Sequence, residues 1–131
     1  MKITLIYPAI GSFTDEACME PLSLGALAGL TPPDVEVALY DDRLEPIPFD
    51  EPTDLVAITV QIFTARRAYE ISAAYRRRGV PVILGGMHPT LVPDEAAQHA
   101  DSIYLGDAEG LWSQVLQDVQ KGKLQPVYRA Q

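Results

Sequence analysis

The sequence predicts an α/β fold, a parallel sheet of five strands with helices on both faces. Three observations carry the prediction. Short apolar runs rich in β-formers alternate along the chain with segments of helical periodicity, and that alternation implies parallel strands joined by right-handed crossovers. The central run, Leu55 to Val60, is almost continuously apolar, as a strand covered on both faces must be. Most of the runs end on Pro, Asp-Asp or Gly, residues that punctuate strands. Five strands of this kind favour the doubly wound, flavodoxin-like order 2-1-3-4-5.

The elements follow in order. Lys2 to Tyr7 is the first strand, closed by Pro8. Pro21 suits a first helical position, and Leu22, Leu24, Leu27, Ala28 and Leu30 follow it. Val35 to Tyr40 is the second strand; Glu36 among apolar neighbours places it nearer the sheet edge, and Asp41-Asp42 ends it. The Leu44–Thr53 connection holds Pro46, Pro48 and Pro52 and lacks a helical pattern, so it reads as an extended crossing or a degenerate helix. Leu55 to Val60 is the third strand. Thr64 can cap a helix running to Arg78, with Ala68, Ile71 and Tyr75 on one face. Arg76, Arg77 and Arg78 complement the negative end of its dipole, and Gly79 supplies a left-handed stop. Pro81 to Leu84 is the fourth strand, ended by Gly85-Gly86, and Pro93-Asp94-Glu95 opens a short helix. Ser102 to Leu105 is the fifth strand, ended by Gly106. A last helix, Glu109 to Val119, sets Leu111, Trp112, Val115, Leu116 and Val119 on one face, with Trp112 as core. After Gly122 the tail reads as the start of a connection, which places the domain at 1–122 and a linker at 123–131.

Composition bounds the function. A chain of 131 residues, 47% apolar and 21% charged, fits one globular domain. Ten basic against eighteen acidic residues give a net charge of −8, which excludes general binding to a nucleic-acid backbone. Cys18 is the single cysteine. It excludes a disulfide scaffold, a Cys-based zinc site and a protein-held iron–sulfur cluster. No apolar run is long enough to span a bilayer, and no small-residue cleavage site follows Met1, so the expected compartment is the cytoplasm. Eight acids lie between Asp34 and Asp54 against Arg43 alone, either as a solvated face or as a docking surface.

In open parallel sheets ligands bind at the carboxyl ends of the strands. Here those ends are Tyr7-Pro8, Thr59-Val60-Gln61, Gly85 to Thr90, and Gly106 to Glu109. Glycine at two of them permits close backbone approach. No dinucleotide fingerprint, no phosphate-binding P-loop and no receiver-type aspartate occupies the expected positions. His88 and His99 lack metal-ligand spacing, and Cys18 has no evident His partner, so no metal ligand and no catalytic residue is assigned. Gly85-Gly-Met-His-Pro-Thr90 is the strongest local signal. It suits a flat ligand lying against the backbone with the Thr90 hydroxyl beside it. It equally suits a tight strand-to-helix turn with His88 on the surface.

That run, with Pro93-Asp-Glu-Ala96, Ala100-Asp101 and Gly106-Asp-Ala-Glu109 in register, resembles the N-terminal cobalamin-binding domain of cobalamin-dependent radical S-adenosylmethionine enzymes. Ile6-Tyr-Pro8 and the Glu20-Pro-Leu-Ser-Leu-Gly-Ala-Leu-Ala28 helix fit as well, and the resemblance runs over residues 2–128. It implies a module that holds and tunes the cobalt, not catalytic by itself. Methyl transfer or related radical chemistry would belong to a C-terminal radical S-adenosylmethionine domain, absent here, whose Cys-x-x-x-Cys-x-x-Cys motif carries the iron–sulfur cluster. The family includes methyltransferases and a cyclase of chlorophyll-type pathways. By resemblance the cofactor-binding residues are Tyr7, Pro8, Thr59, Gln61, Gly85, Gly86, Met87, His88, Thr90, Gly106, Asp107 and Glu109. The corrin would lie over the strand ends, with Asp107 (where the family often has Glu) and Glu109 accepting hydrogen bonds from its amides. The nucleotide tail would descend beside Thr59, Gln61 and Gly85-Gly86, with Gly25 and Gly29 either leaving room or serving close helix packing. The loop after the first strand contains no His, which implies base-off cobalamin without a histidine ligand, its lower face covered by Phe13, Met19 or water. The alternative is a flavodoxin-like regulatory or protein-interaction domain without cofactor, working through its acidic segment.

Overall fold

A computed structural model describes residues 1–9, 22–106 and 110–130. The elements are β1 (Lys2–Tyr7), α1 (Leu22–Leu30), β2 (Glu36–Asp41), β3 (Leu55–Thr59), a 3₁₀ turn (Ile62–Thr64), α2 (Ala65–Arg77), β4 (Val82–Gly85), α3 (Met87–Leu91), α4 (Pro93–Ala97), β5 (Ser102–Leu105), α5 (Trp112–Gln120) and β6 (Val127–Arg129). The strands form one sheet in the order β2-β1-β3-β4-β5-β6, and every pairing is parallel.

The sheet is therefore six-stranded, not five-stranded, and the first five strands keep the expected order. The sixth comes from the tail that reads in sequence as a linker. Tyr128 turns inward there and is buried, and its hydroxyl donates to the Asp118 carboxylate of α5 at 2.6 Å. The Ala130 amide donates to the Leu105 carbonyl at 2.8 Å. A second difference is α3, which forms where the sequence suggests a stiff loop. Its Pro89 falls in the first turn, where backbone N–H groups have no helical acceptor to lose. The 44–53 connection holds no helix. It crosses over α2, burying Ile47 and setting Phe49 5.0 Å from Tyr75, ring to ring.

Successive side chains of a strand point to opposite faces, and this sorts the core into two halves. Ile6, Val56, Ile58, Leu84, Ile103 and Leu105 meet Ala68, Ile71 and Tyr75 of α2. Ile3, Leu5, Ala57, Ile83 and Tyr104 meet Trp112, Val115 and Leu116 of α5, with Leu27 and Ala28 of α1 at the margin. The edge position expected for the second strand holds: β2 is only partly covered, whereas every residue of β3 is buried.

Candidate functional site

The carboxyl ends of β3, β4 and β5 rise around a cavity of about 460 Å³ on the α1/α5 face of the sheet. Pockets that bury small ligands span roughly 300–1,000 Å³. Ala57, Ile83 and Gly85 share this face by strand alternation, and two of the three are small, which leaves the floor shallow. Leu27 of α1 and Trp112 of α5 form the sides, Tyr104 closes the β5 end, and Met87, Thr90 and Leu91 of α3 form the lip. Met87 and Leu91 at its lip, and Ile62 and Phe63 in the 3₁₀ turn that follows β3, are each more than half exposed, so the strand ends carry exposed apolar side chains.

The polar groups of the wall face their own chain. Trp112 Nε1 donates to Thr31 Oγ1 at 2.9 Å, and that hydroxyl donates to the Leu27 carbonyl at 2.7 Å. The Leu111 amide donates to the Tyr104 hydroxyl at 2.8 Å, and the Thr90 hydroxyl to the Gly86 carbonyl at 2.8 Å. Thr59 is engaged too.

The glycines differ in kind. A Cβ at Gly85 would meet Tyr104 Cβ at 3.5 Å, an ordinary contact inside the cavity wall. Gly86 has φ +103°, and a Cβ there would stand 3.0 Å from the Val60 carbonyl oxygen. Gly106 has φ +93°, and its Cβ would stand 2.7 Å from the Ala130 carbonyl oxygen. The chain itself therefore already requires glycine at Gly86 and Gly106. Around Gly25 and Gly29 a Cβ would meet none of the described residues within 4 Å.

Of the expected site residues, Thr59, Gly85, Gly86, Met87, Thr90 and Gly106 come together around the cavity. Tyr7 and Pro8 are buried at the end of β1, with the Arg43 guanidinium 4.6 Å above the Tyr7 ring. The Gln61 amide donates to Thr64 Oγ1 at 3.0 Å, opening the 3₁₀ turn. Neither Tyr7, Pro8 nor Gln61 lines the cavity. His88 engages α4: its Nε2 lies 2.8 Å from Glu95 Oε2, which also accepts the Tyr69 hydroxyl of α2 at 2.7 Å. Those two bonds hold the Glu95 carboxyl below its usual range, and burial followed by Glu95 raises the Tyr69 hydroxyl. His99 stacks on the Tyr69 ring at 3.9 Å. Asp107, Glu109, Phe13, Cys18 and Met19 lie outside the described residues. Sequence reasoning missed Leu27, Ala57, Ile83, Leu91 and Tyr104 as wall residues, and Trp112 is both core and wall. The one available signal was Ala57, a small residue in an otherwise bulky central strand.

The acidic segment is partly neutralised from within. Arg43 forks onto Asp41 at 2.9 and 2.6 Å, and Arg67 of α2 forks onto Asp42 at 2.7 and 3.0 Å. Arg78 pairs with Asp50 at 3.0 Å and Lys2 with Glu51 at 2.9 Å. Bonding from Arg43 lowers the Asp41 carboxyl against the opposing effect of burial. Burial pushes Asp42 up, but Arg67 and the Ala9 amide outweigh it and the net shift is downward. Among the described residues no cluster of three or more His, Cys, Asp or Glu side chains is placed to hold a metal ion. Among them, too, no helix is long and apolar enough to cross a membrane.

No family model matches the chain. It is similar to the bacteriochlorophyllide d C-8(2)-methyltransferase of Chlorobaculum tepidum, with 42% identity over 118 residues, 87% of this chain and 26% of that protein. It is also similar to the bacteriochlorophyllide d C-12(1)-methyltransferase of the same organism, with 37% identity over 112 residues, 84% of this chain and 25% of that protein. The chain thus spans about a quarter of the length of the curated relatives it matches. Its fold is like that of the N-terminal domain of a hypothetical protein from Thermotoga maritima, with a TM-score of 0.51 and 23% identity over 66% of this chain and 74% of that one.

Proposed function

We propose that this chain is a cobalamin-binding module of a radical S-adenosylmethionine methyltransferase. The observation that carries the reading is the apolar cavity beneath Gly85-Gly86, open at the carboxyl ends of a parallel sheet. It fits the nucleotide tail of a cobamide: a flat base and its ribose can enter, while the corrin is too broad and would rest outside on the exposed apolar side chains of Ile62, Phe63, Met87 and Leu91. The likeness to two methyltransferases supports methyl transfer as the reaction of the parent protein. The acceptor would be a tetrapyrrole of the kind those relatives modify. Iron–sulfur cluster, S-adenosylmethionine and catalytic residues would belong to the rest of that parent.

Bound cobalamin would supply an alkyl-transfer centre; the residues of this chain hold and orient it. Thr59, Gly85, Gly86, Thr90 and Gly106 would frame the tail, and Asp107 and Glu109 would accept from corrin amides. The loop between β1 and α1 holds no His, which supports base-off binding without a histidine ligand, and His88 is tied to Glu95 through Nε2. The internal pairing of Asp41, Asp42, Asp50 and Glu51 weighs against a cofactor-free interaction domain that works through its acids. The test is direct. The chain is mixed with hydroxocobalamin and desalted, and the corrin absorbance is read against protein. Stoichiometric retention is expected; a colourless protein overturns the proposal.

A further inference from the structure

Resting on that reading, we infer that the cavity selects among cobamides by the base of their nucleotide tail. It takes a benzimidazole with a hydrocarbon edge and disfavours a purine. The argument is one of polar satisfaction. Among the described residues, four wall side chains carry hydrogen-bonding groups, and none of the four is without a partner in the chain. Trp112 Nε1 is held by Thr31, the Tyr104 hydroxyl receives the Leu111 amide, Thr90 bonds the Gly86 carbonyl, and Thr59 has its own partner. The Gly85 carbonyl accepts the Val60 amide at 2.8 Å. The other described side chains of the wall are apolar, Leu27, Ala57 and Ile83 among them.

Adenine carries ring nitrogens that accept and an exocyclic amino group that donates, and all are hydrogen-bonded in water. Buried against this wall they lose those partners and gain none, and an unsatisfied buried polar group is penalised more heavily than a made bond is rewarded. The outer ring and methyl groups of dimethylbenzimidazole have no such partners to lose, and their burial is favourable. An apolar pocket rejects an added polar group by roughly 10- to 100-fold, and that is the discrimination expected here.

Trp112 is the only tryptophan of the chain and stands in the cavity wall, so its fluorescence reports occupancy without any catalytic assay. The 131-residue chain is titrated with cobalamin, with the cobamide bearing adenine in place of dimethylbenzimidazole, and with cobinamide, which has no tail. Cobalamin binding at least about tenfold tighter than either of the others is expected. Equal affinity for the adenine cobamide overturns the inference and leaves the proposed function standing. Cobinamide as tight as cobalamin takes the tail out of the cavity and overturns the inference as well. Quenching by none of the three overturns the proposed function, and the inference falls with it.

Discussion

On the α2 face of the sheet, packing is continuous. Ala68, Ile71 and Tyr75 are at most 1% exposed, Phe49 leans on Tyr75 from the 44–53 crossing, and Ser72 and Tyr69 bind the α3–α4 segment through His99 and Glu95. On the α1/α5 face, Trp112 and Val115 are equally buried, yet beside them the sheet, Leu27 and Tyr104 enclose about 460 Å³ that protein does not fill. One sheet thus carries a sealed half and a hollow half. Close packing is a condition of stability, and the molecule withholds it on the face where small residues, Ala57 and Gly85, floor the strand ends.

The strongest way to break this contrast is to exchange the roles of the two faces. Tyr75→Ala, on the sealed face, should cost about 3–5 kcal/mol of stability in urea denaturation, as truncation of a buried aromatic side chain does. The Tyr75 hydroxyl is pushed up to about 12, mainly by burial. Gly85→Leu, on the hollow face, places its side chain in the cavity from a position where Cβ is tolerated. It should change stability by less than about 1 kcal/mol while cobalamin retention after desalting disappears. Equal destabilisation by both variants would dissolve the distinction between the faces.

Gly86→Ala should behave unlike its neighbour. Its left-handed backbone and its nearness to the Val60 carbonyl predict a loss of about 1–3 kcal/mol whether or not corrinoid is present. A thermal shift measured with and without cobalamin checks this, and an intact stability would return Gly86 to the ligand.

Asp42→Asn should cost about 1–2 kcal/mol at neutral pH, since it weakens the Arg67 fork at the border of the sealed face. The Asp42 carboxyl is lowered in the folded protein. Its contribution is therefore complete above the ordinary carboxylate value near pH ~4 and lost as pH falls through the depressed folded value. Urea midpoints of parent and variant should differ at pH 7 and converge toward pH 2.

The smallest effect is expected from His88→Gln. The bond to Glu95 is exposed, so the change should stay under about 1 kcal/mol and leave cobalamin retention within threefold. Electron paramagnetic resonance of the Co(II) form should show no nitrogen splitting from the protein in either chain. A nitrogen triplet in the parent that vanishes in the variant would make His88 the ligand.

The strands were legible because burial writes itself locally. β1 and β5 match their apolar runs residue for residue, and the shift of β2 to Glu36–Asp41 is a single position. β6 was not legible, for it is three residues long and only Tyr128 of them is buried. What fixes it is Asp118 and the Leu105 carbonyl, partners distant in the chain, and strand formation depends strongly on such context. The rim of the site could be read from the strand ends. Its floor and sides could not, because Leu27, Ala57, Ile83 and Tyr104 sit inside elements where a core residue and a cavity-lining residue look alike. The direction of His88 was likewise invisible until Glu95 and Tyr69 stood beside it.

The difference between Gly85 and Gly86 also has an evolutionary reading. Descent without a ligand would relax selection at Gly85 alone, because Gly86 and Gly106 are demanded by Val60 and Ala130 of the same chain. A lineage that abandoned the cofactor should keep the second glycine of the pair and let the first drift toward larger residues. Under the proposed function, the first glycine would mark a retained cofactor among homologues, while the second is required by the fold in any case.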